Sequence, residues 1–243
     1  MANSMESVQT PHTVREFDQE LRLARCLLLQ MGAHAERQVA DALRCLKTGS
    51  RALADQVLRH EAVINSLERA IDDLVGRIIA RRQPAAGDLR LLTALIKSTT
   101  DLERIGDEAK KIALRARKLS SGERLPLLRG GEIARMGRLA LGLLRASLSS
   151  LERLELEHTV QVVRQDEEVN DAFRAILREL ISYMIEDPRT ISDCLDMTLV
   201  AKGLERVGDH ATNIAEYVVY AVAGKDVRHT RFGRAERESD PAR

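Results

Sequence analysis

The stretch LERIGDEA, residues 102–109, returns as LERVGDHA at residues 204–211. The two copies share a central glycine with an acidic residue on either side of it. Other landmarks recur at a similar spacing, because Met31-Gly32 has a counterpart in Met136-Gly137. Internal similarity over such a long period is typical of a repeated structural unit. We therefore interpret the chain as two homologous halves.

The composition of the chain favours helices over strands. Its 243 residues include no Trp, only three Phe, three Tyr and five Pro, while Leu, Ala, Arg and Glu are abundant. Aromatic residues favour strands, whereas the abundant residues are good helix formers. Glycine, proline and polar turn residues divide the chain into six long segments. The predicted helices cover 14–47, 52–82, 89–119, 130–156, 159–186 and a last stretch that begins at Asp187-Pro188 and ends near 223.

Long helices joined by short connections pack side by side as antiparallel bundles. We predict an all-α fold made of a tandem repeat of two antiparallel three-helix bundles. The first repeat spans 14–120, the second spans 129–225, and a polar, flexible tail spans 226–243. Asp88 is the predicted N-cap of the third helix, and Gly224 follows the end of the sixth.

The duplicated phrase has an apolar side and an acidic side. Leu102, Ile105 and Ala109 follow the three- and four-residue steps of a buried helix seam. Glu103 and Asp107 lie off this seam and, four residues apart, share a face that points away from it. Two such carboxylates repel each other, and the glycine between them costs about 1 kcal/mol relative to alanine. A bound cation would offset the repulsion.

Each half adds a second polar pair on the preceding helix. Glu61 is followed by Asn65 four residues later, and Asp166 is followed by Asn170. Because helices joined by a short turn lie antiparallel and adjacent, each pair is expected to meet the duplicated phrase in a groove. Oxygen ligands on a shared face suit iron, manganese, magnesium, calcium or zinc. The predicted metal ligands are Glu61, Asn65, Glu103 and Asp107 in the first groove and Asp166, Asn170, Glu205 and Asp209 in the second.

A structural explanation of the same residues stays open. Gly106 and Gly208 would also be duplicated if two helices cross closely at these positions. Acidic residues off the seam are ordinary solvated helix surface, and Glu108 and His210 are expected to be exposed for the same reason.

Composition excludes several classes of function. The chain carries 38 Lys and Arg against 37 Asp and Glu, and this balance argues against a protein that coats nucleic acid. It has no Walker loop, GxGxxG or GxSxG motif, so no enzyme is predicted. No signal peptide or membrane-spanning apolar run is recognised, so we expect a cytoplasmic protein. The three cysteines lack a metal-binding spacing and are predicted to be small buried residues.

The residues that carry the acidic pairs resemble those of the PhoU family. The two LER-[IV]-GD phrases look like the E(D)xxxD signature of that family. The segments RRQPAAGDLRLL (81–92), VVRQDEEVN (162–170) and ERVGDHATNIAEYVVY (205–220) are also similar to its conserved text. The likeness extends over roughly residues 15–230.

This resemblance implies a homodimeric regulator of phosphate uptake. Such proteins are thought to connect the phosphate ABC transporter to a membrane-bound sensor histidine kinase, at the inner face of the membrane. They repress phosphate-starvation genes when phosphate is plentiful. Some members bind multinuclear iron or zinc clusters through their acidic motifs. Asn65 and Asn170 stand where the family motif prefers Asp, and an amide oxygen binds a multivalent cation more weakly than a carboxylate does.

Two other functions stay open at this stage. The first is a carboxylate-bridged metal-binding enzyme or a metal-storage helical bundle, which would need ligands facing the inside of a bundle. The second is a helical scaffold in which the repeats serve packing alone. We favour a non-enzymatic signalling adaptor, because the sequence has paired surface charges and lacks a catalytic constellation.

Overall fold

The structure, a computed structural model, describes residues 15–119 and 131–227. These ranges form six long helices with a short 3₁₀ turn, Pro188–Thr190, before the last one. They contain no strand, which confirms the predicted all-α class. The helices are α1 Arg15–Thr48, α2 Arg51–Arg82, α3 Ala86–Leu119, α4 Glu132–Arg153, α5 Glu157–Glu186 and α6 Ile191–Ala223. The predicted linker between the repeats, and the predicted tail beyond residue 227, lie outside the described residues.

Two predicted helix ends are confirmed. The Asp187 side chain accepts a hydrogen bond from the Arg189 backbone N–H at 3.0 Å, and Pro188 follows it as the first residue of the 3₁₀ turn. Gly224 ends α6 with a φ of 68°, and its N–H donates to the Tyr220 carbonyl at 3.0 Å. Glycine adopts this left-handed conformation without steric cost.

Two other predicted ends are wrong. The third helix begins at Ala86, so Asp88 lies within its first turn rather than at the residue before the helix, and its charge complements the helix dipole. The fourth helix ends at Arg153 rather than near 156. Leu154 takes a left-handed conformation with a φ of 55°, which terminates the helix.

The apolar seam forms the core of each three-helix repeat. Leu102 and Ile105 on α3 are fully buried, and so are their counterparts Leu204 and Val207 on α6. In each repeat the third helix packs against both preceding helices, which places the duplicated phrase at the centre of its bundle. No helix in the described ranges has the length and apolar character needed to cross a membrane.

The two repeats pack on each other along two helix pairs. The larger contact joins α3 to α6, and the smaller joins α1 to α4. In the smaller contact, a Cβ added to Gly32 would overlap the Leu148 side chain, and one added to Gly137 would overlap Leu43. The contact is therefore reciprocal, since each repeat inserts a leucine against the glycine of the other. This approach explains why Gly32 and Gly137 recur, because neither position has room for a Cβ atom.

Candidate functional site

The first groove lies between α2 and α3 and is anchored by a buried carboxylate. Glu61 is 8% exposed. It accepts hydrogen bonds from Gln38 Nε2 at 3.0 Å and from Lys110 Nζ at 3.2 Å. The charge of Glu61 is thus already balanced by an ammonium group from the neighbouring helix. Neither Gln38 nor Lys110 was among the predicted site residues.

The other acidic residues of the first groove crowd one another. Desolvation and, second, the charge of Asp107 raise the pKa of Glu103, to which Glu68 and Glu61 add smaller effects. Desolvation and the charge of Asp72 raise the pKa of Glu68. Residues from both helices therefore share one electrostatic environment, as predicted for Glu61, Glu103 and Asp107. Glu68 and Asp72 extend the groove beyond the predicted set.

Asn65 also lies on α2, but it is not bound by the other groove residues. Its Oδ1 atom is buried and has no hydrogen-bond partner within the described part of the chain. An orphaned acceptor of this kind costs free energy unless a donor or a cation approaches it.

The second groove, between α5 and α6, centres on Asp166. This carboxylate accepts a hydrogen bond from Asn170 Nδ2 at 3.2 Å. Desolvation, followed by the charge of Asp209, raises its pKa to about 6. Desolvation and the charge of Glu205 likewise raise the pKa of Asp209. All four predicted residues of this groove are therefore brought together.

A lysine on α6, the helix that carries Glu205 and Asp209, enters the second groove. Lys202 forms an ion pair with Glu205, and its Nζ atom lies 5.4 Å from the centre of the Phe173 ring. Phe173 occupies the position that corresponds to Glu68 in the first repeat. The second groove is consequently less acidic and more apolar than the first.

The duplicated acidic pairs do not face open solvent as the seam pattern predicts. The side chains of Glu103 and Glu205 are only 20% and 13% exposed. That expectation is wrong for these two residues, because the adjacent helix of the same repeat covers them. Asp209 is exposed, in agreement with the prediction, and Asp107 is intermediate.

The central glycines of the duplicated phrase differ in how closely the neighbouring side chains approach them. A Cβ on Gly106 would lie 2.9 Å from Gln38 Oε1 and 3.2 Å from Ile64 Cδ1. A Cβ on Gly208 would meet its neighbours only at 3.5 Å, an ordinary contact distance. Gly106 therefore gives Gln38 its space beside Glu61, whereas Gly208 has room for a methyl group.

The chemistry of both grooves suits a cation, but the side chains do not form a ready metal cage. Their donors are oxygen atoms, and desolvation followed by the charge of Asp209 raises the pKa of Asp166. In the described ranges, however, no three His, Cys, Asp or Glu side chains are placed to hold a metal ion together. Metal binding at the eight predicted residues therefore stays a prediction.

The expectation that Glu108 and His210 are exposed is wrong. Glu108 is buried and accepts hydrogen bonds from Arg206 at 3.1 Å and from Lys111 at 3.0 Å. His210 Nδ1 lies 2.6 Å from Oδ1 of the buried Asp101. The Arg206–Glu108 and His210–Asp101 contacts cross between α6 and α3, so they hold the two repeats together.

The cysteine prediction is correct for two residues and wrong for the third. Cys45 and Cys194 are buried, whereas Cys26 is exposed, and all three are free thiols. Cys26 lies on the outer face of α1, where no helix of the described ranges covers it.

Comparison with known proteins identifies the family. The sequence profile described as the PhoU domain matches residues 28–116 and 133–218, one match in each repeat. The chain belongs to the PhoU family. The two matches place one PhoU domain on α1–α3 and the other on α4–α6.

Relatives with the PhoU name match almost the full chain. A phosphate-specific transport system accessory protein PhoU homolog from Burkholderia sp is 45% identical, over 90% of this chain and 93% of its own length. A homolog of the same name from Pseudomonas aeruginosa is 43% identical, over 94% of both chains. The Escherichia coli PhoU protein is 37% identical, over 90% of both chains.

Solved PhoU structures share the fold. The crystal structure of PhoU from Pseudomonas aeruginosa superposes with a TM-score of 0.81 at 42% identity, covering 86% of this chain and all of that one. The phosphate transport system regulatory protein PhoU from Streptococcus pneumoniae gives a TM-score of 0.77 at 25% identity, covering 86% and 98%. The tandem arrangement is thus common to this chain and to both PhoU structures.

Proposed function

We propose that the chain is an accessory and regulatory protein of phosphate-specific transport and that it acts by binding other proteins. The observation that carries this proposal is the PhoU match in both repeats, together with relatives that cover nearly all of the chain. Those relatives are named as accessory proteins of a transport system, which supports a role without catalysis.

In its specific form, the proposal is a negative regulator of the phosphate-starvation response. The chain would work in the cytoplasm, peripheral to the inner membrane face, as a homodimer that couples the phosphate ABC transporter to a sensor histidine kinase. Phosphate supply can change gene expression through such an adaptor only if the adaptor binds a partner with different affinity when phosphate is plentiful and when it is scarce.

Deletion of the gene tests the regulatory role. With ample phosphate, a reporter driven by a phosphate-starvation promoter should be expressed constitutively in the deletion strain, and the wild-type gene should restore repression. A deletion strain that still represses the reporter would refute the regulatory role. Pull-down from solubilised membranes with the tagged chain should recover transporter and kinase subunits, and sedimentation should give the mass of a dimer.

A divalent or trivalent cation at the acidic grooves is the second part of the proposal. The crowding of Asp166, Glu205 and Asp209 supports it, because a cation such as iron, zinc, manganese or magnesium would relieve their mutual repulsion. Metal content should fall when Glu103, Asp107, Glu205 and Asp209 are replaced by Ala. Equal metal content in this variant and in wild type would remove the metal from the proposal.

A further inference from the structure

An exposed apolar surface lies on the second repeat, at the hairpin end of its last two helices. It consists of Ile181 and Ile185 on α5 and Ile191, Leu195 and Leu199 on α6, and we call these five residues the α5–α6 stripe. Ile185 is 77% exposed, and the other four residues are between 42% and 53% exposed. Soluble proteins seldom expose large aliphatic side chains in a group, and such groups mark binding surfaces.

The helix hairpin brings both sets of stripe residues to one end of the second repeat. The 3₁₀ turn Pro188–Thr190 joins α5 to α6 as antiparallel neighbours. The two isoleucines on α5 are four residues apart, and so are successive stripe residues on α6, which places each set on one side of its helix. The cation–π contact between Lys202 and Phe173 pairs the two helices farther along the hairpin.

The first repeat shows that the bundle does not need four of these five large aliphatic residues, since only Ile191 has such a counterpart, Leu89. With the duplicated motifs aligned, the positions of Ile181 and Ile185 correspond to Gly76 and Ala80. The positions of Leu195 and Leu199 correspond to Thr93 and Lys97, which are small or polar. Both repeats nevertheless form the same three-helix bundle. Packing therefore does not account for the stripe, and an interaction at this surface would.

The stripe leads into the acidic second groove. Along α6, the residues change from Ile191, Leu195 and Leu199 to Glu205 and the exposed Asp209. From Ile191 to Asp209 the helix rises about 27 Å, which is the length of about 18 helical residues. The surface is thus apolar at the hairpin end. At the other end it carries three carboxylates, those of Asp166, Glu205 and Asp209, and one ammonium group, that of Lys202, which pairs with Glu205.

This polarity specifies the chemistry of a partner. We infer that the α5–α6 stripe binds an amphipathic helix of another protein, with aliphatic residues over the stripe and arginine or lysine near the exposed Asp209. Amphipathic helices bind grooves of this kind through apolar side chains spaced three and four residues apart. The charge at one end fixes the direction of the bound helix. The inference rests on the proposed function only in that the chain works through a protein partner.

Fluorescence anisotropy with a synthetic peptide tests the inference on the full chain. The probe is a fluorescein-labelled 18-residue helix with leucines along one face and three arginines at one end. One control peptide has the same residues in scrambled order, and another has glutamates in place of the arginines. The probe should bind wild type, and both control peptides should bind at least tenfold more weakly. Absence of probe binding, or equal binding of the scrambled peptide, would overturn the inference.

Matched variants locate the binding surface. The double variant Leu195→Ser/Leu199→Ser should weaken probe binding at least tenfold, since both side chains are exposed and their loss leaves the core intact. Ile191→Ser should also weaken binding. Leu89→Ser, at the corresponding exposed position of the first repeat, should leave binding within twofold of wild type. Equal affinity of wild type and the double variant for the probe would overturn the inference.

Other occupants of the stripe give different results. If the double variant loses self-association in sedimentation while the probe fails to bind wild type, the stripe contacts a second copy and the inference is wrong. It is also wrong if the stripe residues are needed only for binding phosphatidylglycerol vesicles.

An expression assay separates this inference from the proposed function. Loss of reporter repression with the double variant, as in the deletion strain, would support a stripe that binds the regulatory partner. Normal repression by the double variant, in a strain background where deletion abolishes repression, would overturn the inference that the α5–α6 stripe binds a partner. The proposed regulatory role of the chain would be unaffected.

Discussion

Replacing Gly137 by alanine tests whether the leucine–glycine contact between α1 and α4 sets the distance between the repeats. An added Cβ would overlap the end of the Leu43 side chain and lie 3.2 Å from its Cγ atom. The Leu43 side chain would then have to move as a whole. Gly142, on the same helix, has no neighbour within 4 Å of an added Cβ, and it supplies the matched control.

The magnitudes decide the sign of each effect. Glycine to alanine in a helix interior stabilises by about 1 kcal/mol when the methyl group meets nothing. Inserting a methyl group into a packed contact costs about 1–3 kcal/mol. We therefore expect Gly142→Ala to raise the free energy of unfolding by about 0.5–1 kcal/mol. Gly137→Ala should lower it by about 1 kcal/mol, because the overlap outweighs the helix-forming gain.

Urea unfolding followed by circular dichroism measures both variants. Leu43→Ala should destabilise wild type more than it destabilises the Gly137→Ala background, because the truncated side chain no longer overlaps the new methyl group. A double-mutant cycle gives this coupling directly. If Gly137→Ala is as stable as Gly142→Ala, and the cycle shows no coupling, the close approach is not a determinant of repeat packing.

Three further predictions concern buried and crowded polar groups. Because the pKa of Asp166 is raised to about 6 from 3.8, its contribution to stability is present at low pH and is lost as the pH rises through 6. In chelator-containing buffer, Asp166→Asn should raise the free energy of unfolding by about 1–2 kcal/mol at pH 8, a value discounted for partial exposure, and by little at pH 4. The control variant Asp171→Asn, at an exposed position, should leave the free energy of unfolding unchanged. Equal urea midpoints for the two variants at pH 8 would refute this prediction. Desolvation and, second, the charge of His60 lower the pKa of His34, so the stability of the protein should fall as the pH drops below about 6.5. A weaker pH dependence of the urea midpoint in His34→Gln than in wild type would confirm this effect. Asp101→Ala should lower the free energy of unfolding by about 1–3 kcal/mol, because His210 loses its hydrogen-bond acceptor on the other repeat. An unchanged melting temperature would show that this hydrogen bond contributes nothing to stability.

Much of the fold was predictable because it depends on local periodicity. The three- and four-residue steps around Leu102 and Leu204 place those residues in a core whatever the neighbouring helices are. The duplicated phrase then requires that both halves adopt the same bundle. Helix ends were predictable where one residue forces the end, as Gly224 does. They were not predictable near Leu154, since a left-handed leucine has no sequence signature.

The sequence predicted which acidic and amide residues lie together at the candidate site, but not the residues that surround them. Helix spacing correctly grouped Asp166 and Asn170 with Glu205 and Asp209. It missed Lys110 and Gln38, which balance and bond Glu61 from two different helices. Those contacts depend on how far α1, α2 and α3 slide along one another, and no local pattern specifies that distance.

The sequence by itself determined two repeats, six helices, the buried seam and the side of each helix that carries the acidic residues. Spacing along one helix is enough for these features, because a helix sets the direction of every side chain. Only the tertiary structure decided that the Glu103 and Glu205 side chains are largely covered, that Glu108 and Asp101 join the repeats, and that Gly32 and Gly137 receive leucines. These features arise where two helices meet, and the physical reason is that the docking of helices sets which sides come together and how closely.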